Sequence, residues 1–355
     1  MKARCPSCGQ VRQISVAVGA CVDCLRQGQA EALSCAQATH RAARRGFSLP
    51  LEPPRTPHGV RCTVCANECK IGSGERGFCG LRTYLAGRLH ALAGSSRRGL
   101  LQWYRDPLPT NCVADWVCPG HRQLGKHNLA VFYGACSFDC LFCQNWHFRE
   151  MSPGGRHVLS AQDLSDVADP DTFCVCYFGG DPSPQMPHAL AASRQLAERG
   201  VRICWESNGS MSPAYLRRAA DLSLTSGGCF KFDLKAWNEN LHIALTGVSN
   251  RRTLENFALA ARRISERPDP PLVVASTLLV PGYVDSAEVN SIARFIASLD
   301  PDIPYALLAF APQFHLDDLP CTSREHAEAA LEAARAAGLT RVRLGNRQLL
   351  GTGHG

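Results

Sequence analysis

From residue 129 onward, short apolar runs alternate with longer stretches in which apolar positions recur every three to four residues. The runs Leu129–Tyr133, Phe173–Phe178, Val201–Trp205, Cys229–Leu234, Leu272–Val280, Tyr305–Phe310 and Thr340–Leu344 read as strands. Between them, His188–Arg199, Pro213–Leu224, Arg251–Glu266, Ser286–Leu299 and Ser323–Ala337 carry the one-sided apolar pattern of helices packed on a sheet. Such alternation predicts an α/β fold with a parallel sheet, whose functional residues sit on the loops after the strands.

The first 128 residues do not follow this pattern. Residues 1–50 read as a small module, 51–128 as a linker and second cysteine-rich region, and 129–355 as the α/β domain. The boundary falls in Ser48–His58, which holds four prolines and reads as a stiff extended linker. A chain beginning near Gly59 is therefore expected to fold without the first module. Glu31 to Arg45 reads as a helix ending in the basic run His40-Arg-Ala-Ala-Arg-Arg45, a solvated helix end.

Cysteine usage changes the picture most. Nineteen cysteines occur in a chain whose N-terminus goes straight into a metal-type pair, with no apolar signal segment. This argues for metal sites rather than disulfides and for a reducing cytoplasmic setting. No apolar run reaches the ~20 residues of a membrane span. At 45% hydrophobic residues the chain can bury a full core. The formal charge of +7 counts every cysteine as neutral. Two four-cysteine sites and one cubane would lower it to about +2, which argues against nucleic acid as a partner.

Cys5-Pro-Ser-Cys8 and Cys21-Val-Asp-Cys24 are two Cys-x2-Cys pairs, the pattern of a zinc ribbon or knuckle. Zinc is the expected metal, with rubredoxin-like iron the alternative. Cys62, Cys65, Cys69 and Cys79 form a second group interleaved with Gly72, Gly74, Gly77 and Gly80. They suit a further zinc or an auxiliary iron–sulfur cluster. Cys112 and Cys118 could complete that site, bind separately or pack. Cys174, Cys176, Cys204 and Cys229 lie in strands and read as small core residues.

The third group is Tyr133-Gly-Ala-Cys136-Ser-Phe-Asp-Cys140-Leu-Phe142-Cys143, directly after the first strand. A loop of this kind brings three thiolates to three irons of a cubane and leaves the fourth iron open. The Cys-x3-Cys-x2-Cys stretch resembles the radical S-adenosylmethionine (SAM) superfamily, a partial (βα)6 TIM-like barrel in which the open iron chelates SAM. Further pieces follow in order: Tyr177-Phe-Gly179-Gly180-Asp181-Pro182, Glu206-Ser207-Asn208-Gly209, Lys231-Phe-Asp233-Leu-Lys235, Leu245-Thr-Gly-Val-Ser-Asn-Arg-Arg-Thr-Leu254 and Val280-Pro-Gly282. Over residues 129 to 312 they are similar to the pyruvate formate-lyase activating enzymes. The upstream cysteines and the terminal Val-Arg-Leu-Gly-Asn346 resemble the activase-like branch called the AmmeMemoRadiSam type.

The resemblance implies a (4Fe–4S) cluster on Cys136, Cys140 and Cys143. It places SAM against Phe142, Gly179, Gly180, Asp181, Ser207, Asn208, Asp233 and Lys235, with Glu206, Ser207 and Asp233 near a monovalent-cation site. It implies reductive cleavage of SAM to a 5′-deoxyadenosyl radical, which takes a hydrogen atom from a protein or peptide, most simply as a glycyl-radical-enzyme activase. The electron donor would be a flavodoxin or ferredoxin. One alternative is another macromolecule or small molecule selected by the N-terminal cysteine modules; a second is an inactive zinc-binding scaffold. The sequence departs from the activases at Ser276 and Ala311, where they carry an arginine and a histidine; here His315 follows four residues later.

Overall fold

The protein is described from a computed structural model covering residues 2–110 and 112–351. The end of the expected 129–355 domain, residues 352–355, lies outside the described residues. The N-terminal part consists of the hairpin β1 (Lys2–Arg4) and β2 (Val11–Gln13), α1 (Val22–Arg26) and α2 (Ala30–Gly46). Two small antiparallel pairs follow, β3 (Val60–Arg61) with β4 (Lys70–Ile71), and β5 (Arg82–Leu85) with β6 (Arg88–Ala91).

The main sheet has nine strands. Seven run parallel: β8 (His127–Tyr133), β10 (Thr172–Phe178), β11 (Arg202–Ser207), β12 (Phe230–Asp233), β13 (Val273–Leu279), β14 (Tyr305–Ala309) and β15 (Val342–Gly345). They coincide with the seven apolar runs. Beyond β8 the sheet continues antiparallel through β7 (Gly99–Pro107) and β9 (Val158–Leu159). Sequence reading missed β7 because Gly99-Leu-Leu-Gln-Trp-Tyr-Arg-Asp-Pro107 changes from apolar to polar along its length.

Helices α3 (Ala161–Asp166), α4 (Met186–Glu198), α5 (Pro213–Ser226), α6 (Glu239–Thr246), α7 (Arg251–Ala261), α8 (Ser286–Leu299) and α9 (Arg324–Ala336) lie among the strands in sequence. Their starts follow ordinary capping chemistry: Asn238, Asp285 and Ser323 accept backbone N–H groups at the N-termini of α6, α8 and α9. One sheet face packs on the helices through stacked rings. Tyr133, Tyr177, Trp205, Phe230 and Phe232 form a row with neighbouring centroids 4.5–6.0 Å apart. Alternation along each strand sends Cys174, Cys176, Cys204, Cys229 and Val274 into a separate cluster on the other face, the lumen of the partial barrel.

The N-terminal part is not a bead on a linker. Cys5, Ile14, Val18, Leu25 and Ala36 belong to the same apolar cluster as the barrel core. Ser15 N donates to Tyr283 Oη at 2.9 Å, and Arg26 makes a two-pronged pair with Asp285 and a further bond to Glu288. The expected solvated end of α2 is also corrected. His40 and Arg44 are buried, because both reach a carboxylate in the loop after β8.

Candidate metal and cofactor sites

The loop after β8 carries Cys136, Cys140 and Cys143, and its shape is set by three neighbours. From the α6–α7 turn, Thr246 and Leu245 carbonyls accept Asp139 N at 2.9 Å and Leu141 N at 3.0 Å. The Leu245–Leu254 signature is thus a cradle for the loop. Gly247 caps α6 at φ +74°, a conformation that costs glycine nothing. From the N-terminal part, His40 Nδ1 lies 3.0 Å from Asp139 Oδ2 and Arg44 Nη1 3.4 Å from Oδ1. Arg149, just after the loop, adds Nη2 at 3.1 Å. Burial alone would raise the Asp139 pKa; the His40 hydrogen bond and the two guanidinium groups outweigh it and hold it at about 2.

Burial pushes the Cys136 thiol up and Cys140 to about 12, the latter against the pull of Lys235. Ligation by iron would deprotonate both outright. Phe138 N and Asn208 Nδ2 donate to Cys136 Sγ at 3.3 and 3.6 Å. The three sulfurs do not all lie within 4.8 Å of one another. Among the described residues, the only group of three or more metal-binding side chains with all ligand atoms within 4.8 Å is Cys5, Cys8, Cys21 and Cys24.

The other residues expected around SAM gather at the same strand ends. Gly179 and Gly180 have φ of +65° and +53°. A Cβ on Gly180 would lie 2.0 Å from the Tyr133 carbonyl oxygen, so this glycine is required by contact with the cluster loop itself. Asp181 is buried and accepts Ser183 N at 2.7 Å, Asn208 N at 2.7 Å and Ser207 Oγ at 3.1 and 3.2 Å. Its carboxylate ties the Gly-Gly turn to the end of β11. Thr253 Oγ1 and Asn256 Nδ2, both on α7, hold that end from behind through the Asn208 and Gly209 carbonyls.

Asp233 and Lys235 pair with each other at the end of β12. Lys235 Nζ stands 5.3 Å from the centre of the Phe142 ring. Asp233 Oδ1 is buried without a hydrogen-bond partner among the described residues, an orphaned acceptor beside the cluster loop. Ser276 bonds the Phe232 carbonyl at 3.3 Å, and Glu206 pairs with buried Lys231 at 3.3 Å.

In the N-terminal site, Cys5–Cys24 and Cys8–Cys21 sulfur separations are 3.8 and 3.7 Å. For a metal–sulfur bond of about 2.3 Å the edge of a tetrahedron is about 3.8 Å, so the four thiols fit one tetrahedral ion. Cys5 is lowered to about 6, its burial outweighed by backbone donors from Cys21, Cys8 and Ser7. Cys62, Cys65, Cys69 and Cys79 line one small cavity with Asn67, Phe78 and Arg82. Asn67 Nδ2 reaches the Ser137 carbonyl in the cluster loop at 2.7 Å, so this site abuts the first. Cys112 and Cys118 join neither group. They line the barrel lumen with the strand cysteines.

Sequence reasoning missed Asp139, Arg149 and Lys231. An acidic residue inside the cysteine triplet was the one available signal for Asp139. No helix among the described residues is long and apolar enough to cross a membrane.

Residues 130–296 match the profile of the radical SAM superfamily. An uncharacterized protein of Methanocaldococcus jannaschii is 25% identical over 292 residues, covering 81% of each chain. The isethionate sulfite-lyase activating enzyme of Desulfovibrio desulfuricans is 34% identical over 134 residues, 37% of this chain and 40% of that one. The pyruvate formate-lyase 1-activating enzyme of Escherichia coli K12 is 29% identical over 166 residues, 44% of this chain and 62% of that one. The chain thus spans about half the length of these two activases. A solved domain of a pyruvate-formate lyase-activating enzyme from Bacteroides vulgatus has a TM-score of 0.39 at 20% identity, covering 49% of this chain and 99% of that one. The matched profile lies over the cysteine loop, the Gly-Gly turn and the Asp233–Lys235 pair, so it is this part of the chain that is similar to the radical SAM superfamily.

Proposed function

We propose that this protein cleaves SAM reductively at a (4Fe–4S) cluster on Cys136, Cys140 and Cys143. The radical so generated would take a hydrogen atom from a protein or peptide, as in a glycyl-radical-enzyme activase. The observation that carries the reading is the arrangement of Asp233, Lys235 and Phe142. A buried carboxylate oxygen without a partner and an ammonium group stand together against the cluster loop. That is a site for a ligand bearing hydroxyl, amino and carboxylate groups, as SAM does.

The cluster and SAM, when bound, supply the one-electron chemistry and the bond that breaks. The chain binds and orients them. Phe142 offers an apolar face, Gly179 and Gly180 offer backbone groups, and Ser207 and Asn208 line the turn. Asp181 acts as a positioning residue, since its own acceptor sites are filled by Ser183, Ser207 and Asn208. A flavodoxin or ferredoxin is the proposed electron donor.

We assign zinc to Cys5, Cys8, Cys21 and Cys24. Cys62, Cys65, Cys69 and Cys79, which line one small cavity, would hold a further zinc or an auxiliary iron–sulfur cluster. The test is anaerobic reconstitution followed by reduction with dithionite in the presence of SAM. Release of 5′-deoxyadenosine by the parent and its loss in Cys136→Ala, Cys140→Ala and Cys143→Ala variants would support the reading. Full turnover by the triple variant would sink it. A glycyl-radical signal in an added partner enzyme would identify the activase role; none with SAM cleavage intact would favour a different substrate.

A further inference from the structure

The barrel lumen holds chemistry that the SAM site does not use. A cavity of about 720 Å³ opens between the inner faces of the strands and the segment from Cys112 to His121. Six cysteines line it: Cys112 and Cys118 on that segment, Cys174 and Cys176 on β10, Cys204 on β11, and Cys229 just before β12. Strand register puts three in a row. Cys176 is the partner of Cys204, and pairing of Trp205 with Phe230 sets Cys229 beside Cys204. No disulfide joins any of them.

The six divide by their partners. Lys231 Nζ donates to Cys112 Sγ at 3.2 Å and Cys176 Sγ at 3.0 Å, and pairs with Glu206. Cys118, Cys174, Cys204 and Cys229 instead face one another from four separate elements. Cys174, Cys204 and Cys229 belong to one buried cluster, and Cys118 packs against it. Gly120 N donates to Cys118 Sγ at 3.5 Å, the kind of amide contact that supports a ligating sulfur. Unlike the N-terminal four, these sulfurs do not all lie within 4.8 Å of one another.

We propose that Cys118, Cys174, Cys204 and Cys229 ligate an iron–sulfur cluster inside the barrel, separate from the SAM cluster. Four thiolates are the usual ligand set of such clusters. A cluster so ligated is anionic, and Lys231, fully buried one layer away, supplies the compensating positive charge. Simple packing accounts for the arrangement less well. Thiols that act as small core residues fill space, whereas these border a cavity and a buried ammonium group is directed at two of their neighbours.

The test uses full-length protein carrying Cys136→Ala, Cys140→Ala and Cys143→Ala, so that the SAM cluster is removed and its fate does not matter. After anaerobic reconstitution with 57Fe and sulfide, iron, acid-labile sulfide and Mössbauer spectra are compared with and without lumen substitutions. Cys204→Ala with Cys229→Ala should remove about two to four irons per chain, the content of one cluster. Cys118→Ser, on the loop rather than in the sheet, should leave the circular dichroism unchanged and shift the spectrum as oxygen replaces sulfur. Iron, sulfide and spectra unchanged in both variants would overturn the proposal. If the double variant does not fold, Cys118→Ser and Cys118→Ala decide it by the same readings. Failure of SAM cleavage in the parent would leave this result untouched.

Discussion

His40 Nδ1 lies 3.0 Å from Asp139 Oδ2, so a helix of the N-terminal cysteine module fixes a carboxylate in the middle of the cluster loop. Both side chains are buried, and Arg44 and Arg149 complete the cage. The loop that presents Cys136, Cys140 and Cys143 is thereby held from outside the barrel.

Removing the centre of that cage should be costly. Asp139→Ala leaves Arg44 and Arg149 buried without their counter-charge, a loss of about 3–5 kcal/mol for a broken buried pair. The expected outcome is a lower denaturation midpoint and poor cluster occupancy after reconstitution. His40→Ala should do less, since the two guanidinium pairs remain. Equal midpoints for the parent and Asp139→Ala would show that the cage does not hold the loop.

Deleting residues 1–58 is expected to destabilise the barrel. It removes His40 and Arg44 from Asp139, Arg26 from Asp285 and Glu288, and the apolar contacts of Ile14, Val18 and Leu25. With zinc bound at Cys5, Cys8, Cys21 and Cys24 as proposed, stripping it with a thiol-competing chelator should act in the same direction, because the ion would organise the turns that carry these contacts. Thermal melts of full-length protein before and after chelation, and of the truncated chain, test both statements. A truncated chain that melts with the parent would restore the picture of independent modules.

At the proposed SAM site, Asp233→Ala and Lys235→Ala should each weaken SAM binding. A buried hydrogen bond to a charged group contributes roughly 1.5–3 kcal/mol, which is about tenfold or more in Kd. Gly180→Val should disrupt the loop more severely, since its Cβ would meet the Tyr133 carbonyl at 2.0 Å. Titration of anaerobic protein with SAM, followed by the cluster spectrum, reads the first two directly. Parent-like affinity in both would place SAM elsewhere.

Stability should fall on mild acidification. Burial holds both His188 and His242 at about 4, below the ordinary 6.5. Protons therefore bind the unfolded chain first, so stability is full above pH 6.5 and declines as pH drops toward 4. Each ring contributes about 2 kcal/mol of that loss by pH 5. Asp139 does not add to it, because it stays ionised down to about 2. Melting curves from pH 7.5 to 5 should show a falling Tm, and His188→Gln should flatten the slope. An unchanged Tm across that range would contradict the buried neutral state of these rings.

The strands, most helices and the ligand groups were legible from local pattern. Short continuous apolar runs placed β8 and β10–β15, and period-3.6 spacing the helices between them, because burial imposes those patterns on the sequence. The cysteine spacing likewise picked out the N-terminal pairs, whose four sulfurs the fold brings together.

What tertiary structure alone decided are contacts between residues distant in sequence. Asp139 and His40 are 99 residues apart, and nothing near either one signals the pair. Nor does any local pattern reveal that Cys118, Cys174, Cys204 and Cys229 share a cavity. They lie far apart in sequence, and only folding brings them to one cavity, with Cys204 and Cys229 level on neighbouring strands. The same holds for Lys231, whose burial is tolerable only because folding sets Glu206, Cys112 and Cys176 around it.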